Sequence, residues 1–382
     1  MKIKRYYMED WLNDSVGIEC DLSASGCQDF FLEEFLRVCN VGIHEFNRLF
    51  MGDNTTMGTL ELREEIRKSY RQVELPELMV TNGTSEAIFV FFNELLEAGD
   101  EVVIPFPAFQ CLYQVPVSIG CEVKFLNLLT DENWKLDINK LAALVTPKTK
   151  LIIINNPHNP LGWTLSVEEL RQVGEIARKN DCWLFFDEHY RYLPLEDGTY
   201  LIPSGYDVCK PLHEKTWASG SMIKCFGIVG IRIGWLIGEP QFLARCRDYK
   251  DYLTHTIPSI TDFLAYIALK NKEEIIKLKK SHILPNVKLL NRFMEENRDL
   301  FDYREPSGGV VCFPRLKKEC DSTGFCTILR KKYQVSLLPG FAFDANSDFS
   351  AREHFRINIG FEPAKFYKAL DRIQRCLKQT CK

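Results

Sequence analysis

No Cys-x-x-Cys pair and no Cys/His spacing of the metal-finger kind occurs in this chain, although it holds 14 cysteines scattered from Cys20 to Cys381. That scatter excludes a zinc finger or a disulfide framework as the organising device, and no metal site is expected. It predicts reduced thiols that mostly pack as small apolar side chains in a cytoplasmic protein. Cys225, beside Lys224, has a neighbour that could activate it, but packing is the favoured role. An excess of positive charge is also missing: 48 Lys and Arg stand against 52 Asp and Glu, a net charge of -4. Nucleic acid rewards a basic surface, so it is not an expected partner. No apolar run approaches the roughly 20 residues that span a bilayer. The longest, such as AIFVFF from Ala87, suits a buried element. The N-terminal MKIKRYYMEDW reaches Glu9 and Asp10 without an apolar stretch, so no secretory signal is expected. Internal repeats, low-complexity tracts and flexible linkers are absent as well.

What is present is 382 residues with 46% hydrophobic content, more chain than one ordinary core needs. From Met79 short apolar strands alternate with helical periodicity: LMVTNG, EVVIP, EVKFLNL, KLIIINNP, CWLFFDE, KTWAS and IRIGWLIG. Near-continuous apolar strands separated by helices predict an α/β fold with a mostly parallel sheet covered on both faces. Ser166 and Glu169 have capping-box spacing at the start of one such helix. After about Asp251 the pattern shifts to a long helical stretch over 260–293, then strands VSLLPGF and HFRINIGF and a closing helix, a smaller α+β domain. The expected division is an N-terminal segment over 1–45 that joins the small domain, a large domain over 46–265, and a small C-terminal domain over 266–382.

In sheets of this kind ligands bind at the carboxyl ends of the strands, and the unusual residues sit on those loops. Residues 217–234, WASGSMIKCFGIVGIRIG, place Lys224 and Arg232 in an apolar, glycine-rich setting. Buried unpaired charge is costly. An aldehyde and a phosphate would justify the pair, as would a structural ion pair or a solvated surface. Gly83, Thr84 and Ser85 open a helix, which makes either a phosphate seat or a plain cap. Phe109, on a prolyl loop, is either core or a platform for a flat ring. In NNPHNPLG, over 155–162, two X-Pro steps hold Asn159 rigidly at a strand end. Asp187 leaves an apolar strand with Tyr190 three residues on; such a carboxylate either meets a cation or caps a helix. Arg356 has the planar fork that binds a carboxylate bidentately, or it makes an internal salt bridge.

Taken together and in order, G-T-S, P-x-F, N-P-x-N-P-x-G, D-x-x-Y, S-x-x-K followed by G-x-R-x-G, and a late F-R strongly resemble the class I/II aminotransferases. These are fold type I pyridoxal phosphate enzymes, and the resemblance covers nearly the whole chain. It implies pyridoxal 5'-phosphate as cofactor. Lys224 would link to its aldehyde and later remove the Cα proton of an amino acid substrate. Asp187 would pair with the pyridine nitrogen, Tyr190 and Asn159 with the ring hydroxyl, and Phe109 would stack on the ring. Gly83, Thr84, Ser85, Ser221 and Arg232 would hold the phosphate. Arg356, helped by Asn159, would bind the substrate α-carboxylate, with Ser25 and Gly26 closing over it. The resemblance also implies a homodimer with its sites at the interface. Three positions depart from the usual pattern: Ile223 and Leu161, where serine and threonine are common, and Asp53, about where a tyrosine reaches the neighbouring subunit's phosphate.

A narrower resemblance lies outside the cofactor motifs. MEDWL, FMGDNTTMG, DYLTHTIPS and PSGGVVCFPRL are similar to phrases of the capreomycidine synthase-like arginine cyclase subgroup. It implies elimination and cyclisation of a hydroxylated arginine, with Glu9 and Asp53 as carboxylate partners of the guanidinium and Asp10 as a solvated charge. An ordinary aminotransferase remains the alternative. A non-catalytic binding domain is disfavoured by the full cofactor set.

Overall fold

Strands that are apolar at every position need cover on both faces, and this chain provides it by returning through helices. The computed structural model describes residues 2–130, 134–196, 198–317, 321–343 and 351–380. A short helix α1 (Tyr7–Asn13) precedes seven sheet strands: β1 (Leu78–Thr81), β2 (Glu101–Phe106), β3 (Glu122–Asn127), β4 (Thr149–Asn155), β5 (Trp183–Glu188), β6 (Thr216–Gly220) and β7 (Gly234–Ile237). Their order is β1-β7-β6-β5-β4-β2-β3, and β7 alone runs antiparallel to its neighbours. This is the expected mostly parallel sheet between helices.

The alternation of side chains along each strand divides the core in two. Leu151, Ile153, Phe185 and Trp217 face one layer, while Ile152, Ile154, Phe186 and Ala218 face the other. Helix α2 (Thr84–Leu95) lies on the first layer, and its Phe91 ring stacks on Phe185 at 5.0 Å and on Trp217 at 4.9 Å. Helix α3 (Gln110–Ile119) follows β2, and α4 (Val167–Lys179) follows β4. The capping box at the start of α4 forms: the Glu169 amide donates to Ser166 Oγ at 3.2 Å and the Ser166 amide to Glu169 Oε2 at 2.7 Å. Beyond β7 come α5 (Pro240–Asp251), α6 (Ser259–Lys270), α7 (Lys272–Glu296), strand β8 (Phe355–Asn358) and α8 (Pro363–Thr380). β8 is the middle strand of a small antiparallel sheet, between Val311–Cys312 and Leu338–Pro339. The N-terminal segment reaches this part of the molecule, where Cys20–Asp21 pairs in parallel with Val335–Ser336.

Three elements differ from the sequence expectation. The helical stretch over 260–293 is two helices, α6 and α7, broken at Asn271, whose φ of -109° and ψ of 25° lie outside the helical range. IRIGWLIG is not one strand: a turn over Val229–Ile231 leads to Arg232 at φ 52°, and β7 begins only at Gly234. VSLLPGF gives two short pairings, Val335–Ser336 and Leu338–Pro339, with different partners. The thiols behave as expected: none of the twelve described cysteines is in a disulfide and ten are buried, with Cys320 and Cys381 outside the described residues. Cys225 is fully buried, and burial pushes its thiol well above the ordinary range, which makes it a packing residue.

Truncating Phe91, the ring shared by two strands and a helix, removes the centre of the upper layer. Phe91→Ala is expected to cost about 3–5 kcal/mol, read as a lower urea midpoint; a midpoint unchanged from wild type would contradict this packing.

Candidate active site

The loops at the carboxyl ends of β2, β4, β5 and β6 converge on a cavity of about 510 Å³. Lys224 lines it from the short helix Ile223–Phe226 after β6. Burial, then the charges of Arg356 and Arg232, lower its ammonium to about 8, so a sizeable neutral fraction exists near neutral pH. Gly26 passes close by: a Cβ there would lie 3.5 Å from Lys224 Cδ, and the Cys27 amide donates to the Lys224 carbonyl at 2.8 Å.

Arg356 is 0% exposed, in the middle of the small sheet. Its Nη1 donates to Asn159 Oδ1 at 3.0 Å and its Nη2 to the Ser23 carbonyl at 2.7 Å, while its Nε has no partner. Among the described residues no carboxylate pairs with it, so the internal salt bridge is not its partner. Asn159 is held in turn by Asn155, whose Oδ1 accepts its amide at 2.6 Å and whose Nδ2 donates to Asp187 Oδ2 at 3.1 Å. Asp187 also accepts from Ser219 Oγ at 3.1 Å. It is buried with no cation beside it among the described residues, and burial raises its carboxyl to about 7. Tyr190, pushed up to about 12 by burial, donates to the Ser25 carbonyl at 3.0 Å.

At the other end of the cavity lies the amino end of α2. Its N-cap, Gly83 at φ 82°, has no side-chain cap, so the first amides are free. A Cβ on Gly83 would come within 2.8 Å of Arg232 Nη2, and the left-handed φ there favours glycine. Arg232 meets only the Val229 carbonyl, at 3.3 Å, and no carboxylate among the described residues. Thr84 and Ser85 line the cavity, as do Phe109, Ser25 and Glu9. Ser221 does not: its hydroxyl donates to the Ile233 carbonyl at 2.6 Å.

Glu9 is on α1, which spans the cavity mouth between two anchors. On one side Tyr6 Oη contacts Cys111 Sγ at 3.4 Å, and Gln110 Nε2 donates to the Arg5 carbonyl at 2.8 Å. On the other, Trp11 meets the Phe341 ring edge at 6.0 Å and carries the Arg330 guanidinium 4.0 Å above it. The charge of Glu9 acts on both Lys224 and Arg356. Asp10 pairs with Arg5 at 2.5 Å. Asp53 is not among the cavity residues: it is exposed and accepts from Thr256 Oγ1 at 3.4 Å. Tyr6, Met8, Leu12, Cys111, Asn155, His189 and Val229 line the cavity without having been singled out from sequence. Asn155 and His189 stand inside the phrases NNPHNPLG and FFDEHY, so proximity to the motif was their only signal.

The donor set fits pyridoxal phosphate. One end offers amides and an arginine without a carboxylate partner among the described residues for an anion, the middle an amine and a ring platform, the far side a buried carboxylate with no cation beside it among the described residues. Arg356, with an orphaned Nε, suits a substrate carboxylate. Among the described residues no group of three or more His, Cys, Asp or Glu is arranged to hold a metal, and no helix is long and apolar enough to cross a membrane.

Comparison with known proteins agrees. The family model described as aminotransferase class I and II matches residues 44–373. Capreomycidine synthase of Streptomyces vinaceus is 25% identical over 88% of this chain and 86% of its own. Aspartate aminotransferase of Pyrococcus horikoshii is 26% identical over 84% and 82%. Among solved structures, the PLP-dependent cyclase OrfR is 26% identical with a TM-score of 0.89, covering 99% of this chain and 98% of that one.

Asp187 gives the site a pH signature before any ligand binds. The cofactor-free folded protein holds a proton that the unfolded chain releases, so this stabilisation is full below the ordinary carboxyl value of 3.8 and is lost as pH rises to about 7. Asp187→Asn has no such loss. Its urea midpoint, measured without cofactor, is expected to gain on wild type from about pH 4 to about pH 7 and then to hold level; a difference independent of pH would contradict the assignment.

Proposed function

Because this chain belongs to the class I and II aminotransferases and is a pyridoxal phosphate-dependent enzyme, we propose that it acts on an amino acid ending in a guanidinium. Its reaction is the loss of a side-chain hydroxyl from a hydroxylated arginine and closure of a cyclic guanidino amino acid of the capreomycidine or enduracididine type. The observation that carries this reading is Glu9. It brings a carboxylate to the mouth of a cavity whose other described charges are mostly cationic, within electrostatic reach of Lys224 and Arg356. An amino acid held by its carboxylate at Arg356 would present a cationic side-chain end to such a group.

Bound here, the cofactor supplies an aldehyde that condenses with an amine and an electron-poor ring that stabilises negative charge at Cα. Asp187, whose oxygens Asn155 and Ser219 fix, would as a carboxylate favour a protonated pyridine nitrogen. Thr84, Ser85, the amides behind Gly83, and Arg232 would hold the phosphate, with Ser221 behind this seat through Ile233. Tyr190 and Asn159 would address the ring hydroxyl, and Phe109 the ring face. Arg356 orients the substrate carboxylate, with Ser25 and Gly26 over it. Lys224, as a free amine, takes the Cα proton. The hydroxyl then leaves as water with the proton taken from Cα, a guanidine nitrogen bonds to the carbon it left, and the hydrogen that nitrogen gives up is returned to Cα through Lys224, so the net change is dehydration. No oxidant and no 2-oxo acid is consumed.

Asp53 is proposed to act across a homodimer. Its loop is pinned to the segment before α6, with Asn54 Nδ2 donating to the Ile257 carbonyl at 3.2 Å and Ser259 Oγ to the Gly52 carbonyl at 2.9 Å. Phe50, Met51 and Tyr252 beside it are 81%, 73% and 92% exposed, apolar surface that a second copy would cover. A cytoplasmic location is proposed from the free, mostly buried thiols. The second reading is amino exchange with a 2-oxo acid, favoured by relatives such as the aspartate aminotransferase and by machinery common to both reactions.

Mass spectrometry of products from hydroxylated arginines, without a 2-oxo acid, is expected to show a cyclic guanidino product lighter by one water. Efficient amino exchange on unmodified amino acids with no turnover of hydroxyarginine would establish the second reading instead. Within the first, Glu9→Gln is expected to raise KM for hydroxyarginine about tenfold or more, the loss of one charge-assisted pair; an unchanged KM would remove Glu9 from substrate recognition.

A further inference from the structure

His189 lines the cavity and has no place in the reaction as written above. It lies between Asp187 and Tyr190 on the turn that ends β5, with its ring edge-on to Tyr190 at 5.1 Å and 76°. Its Nδ1 is 3.0 Å from Oγ1 of Thr84, the first residue of α2 and a member of the anion seat. The direction of that hydrogen bond decides what Thr84 can do. If Nδ1 accepts, the only hydroxyl proton is spent on histidine, and Thr84 turns lone pairs toward an anion. If Nδ1–H donates, the Thr84 proton is left free to point at the anion. An anionic phosphate selects the second arrangement.

The surroundings keep the ring neutral, as this arrangement requires. Burial, followed by the charges of Lys224 and Arg232, lowers the imidazole to about 3. A neutral histidine has one ring proton, and placing it on Nδ1 leaves Nε2 as a bare acceptor. A third cation in that place would repel Lys224 and Arg232; an apolar ring would leave the Thr84 hydroxyl free to rotate.

We propose that His189 is a positioning residue of the phosphate seat: its Nδ1–H donates to Thr84 Oγ1 and thereby aims the Thr84 proton at the cofactor phosphate. It acts through Thr84 and takes no proton from substrate. The proposal rests on the pyridoxal phosphate reading of the cavity, and the test separates the two.

The readout is binding, by equilibrium dialysis of cofactor-free protein against pyridoxal phosphate and, separately, against pyridoxal, which lacks the phosphate. His189→Phe keeps a flat ring but loses the donor, and is expected to weaken pyridoxal phosphate about tenfold while leaving pyridoxal unchanged. His189→Asn, whose side-chain amide can reach the Nδ1 position, is expected to restore most of the affinity. Thr84→Val is expected to weaken binding similarly, and the double variant no more than Thr84→Val alone, because both remove one interaction. Additive losses, an equal loss for pyridoxal, or full affinity in His189→Phe would overturn the proposal and leave the cofactor reading intact. Should His189→Phe fail to fold, the Thr84→Val and His189→Asn arms decide: a tenfold loss in His189→Asn, with pyridoxal affected equally, overturns it. Wild-type protein that binds no pyridoxal phosphate would remove the underlying reading as well.

Discussion

A fully buried arginine with no carboxylate partner among the described residues is the constraint on which the rest of the site depends. Arg356 gives two of its donors to Asn159 and Ser23 and leaves Nε unmatched. Taking a guanidinium out of water without an anion is costly unless something else supplies the charge. The same imbalance recurs at Arg232 and, with opposite sign, at Asp187. Each of these groups is left by the described residues with charge that the protein matches only in part, which is what the proposed ligands would complete. The effect on Lys224 follows directly, because burial together with the two arginines makes its neutral amine accessible near neutral pH.

The fold arranges these imbalances at one place. Parallel strands β2, β4, β5 and β6 end on the same edge, so the loops carrying Phe109, Asn159, Tyr190 and Lys224 meet there. A chain of polar contacts then joins the two sheets. Asp187 on β5 is held by Asn155 on β4, which holds Asn159, which receives Arg356 from β8. Arg356 is therefore linked, through Asn159 and Asn155, to the buried carboxylate of Asp187. The N-terminal segment, anchored by Tyr6 on one side and Trp11 on the other, brings Glu9 to the cavity lining.

Much of this was legible in the sequence, and the reasons are physical. Near-continuous apolar strands separated by helices announce a covered parallel sheet, and X-Pro steps around Asn159 announce a rigid loop. Asp187 and Arg356 stood out because charges in apolar runs demand partners. Local sequence could not place Arg232 outside a strand, since IRIGWLIG has a strand's composition and only the turn at Arg232 shows otherwise. Nor could it show that Asp53 lies outside the cavity of its own chain, because that depends on contacts of the 50–58 loop with residues some 200 positions away. Tyr6 and Cys111 were invisible for a similar reason, and His189 was marked only by its place between Asp187 and Tyr190. Their roles rest on pairs such as Tyr6 with Cys111 and Thr84 with His189, each 105 residues apart.

The central claim is that the charge imbalance of this cavity is completed by pyridoxal phosphate linked to Lys224. Reducing the cofactor-loaded protein with borohydride and mapping its peptides by mass tests this most directly. A phosphopyridoxyl mass confined to the peptide that contains Lys224 is the predicted result. The same mass on another buried lysine, such as Lys250 or Lys279, with Lys224 unmodified, would contradict it.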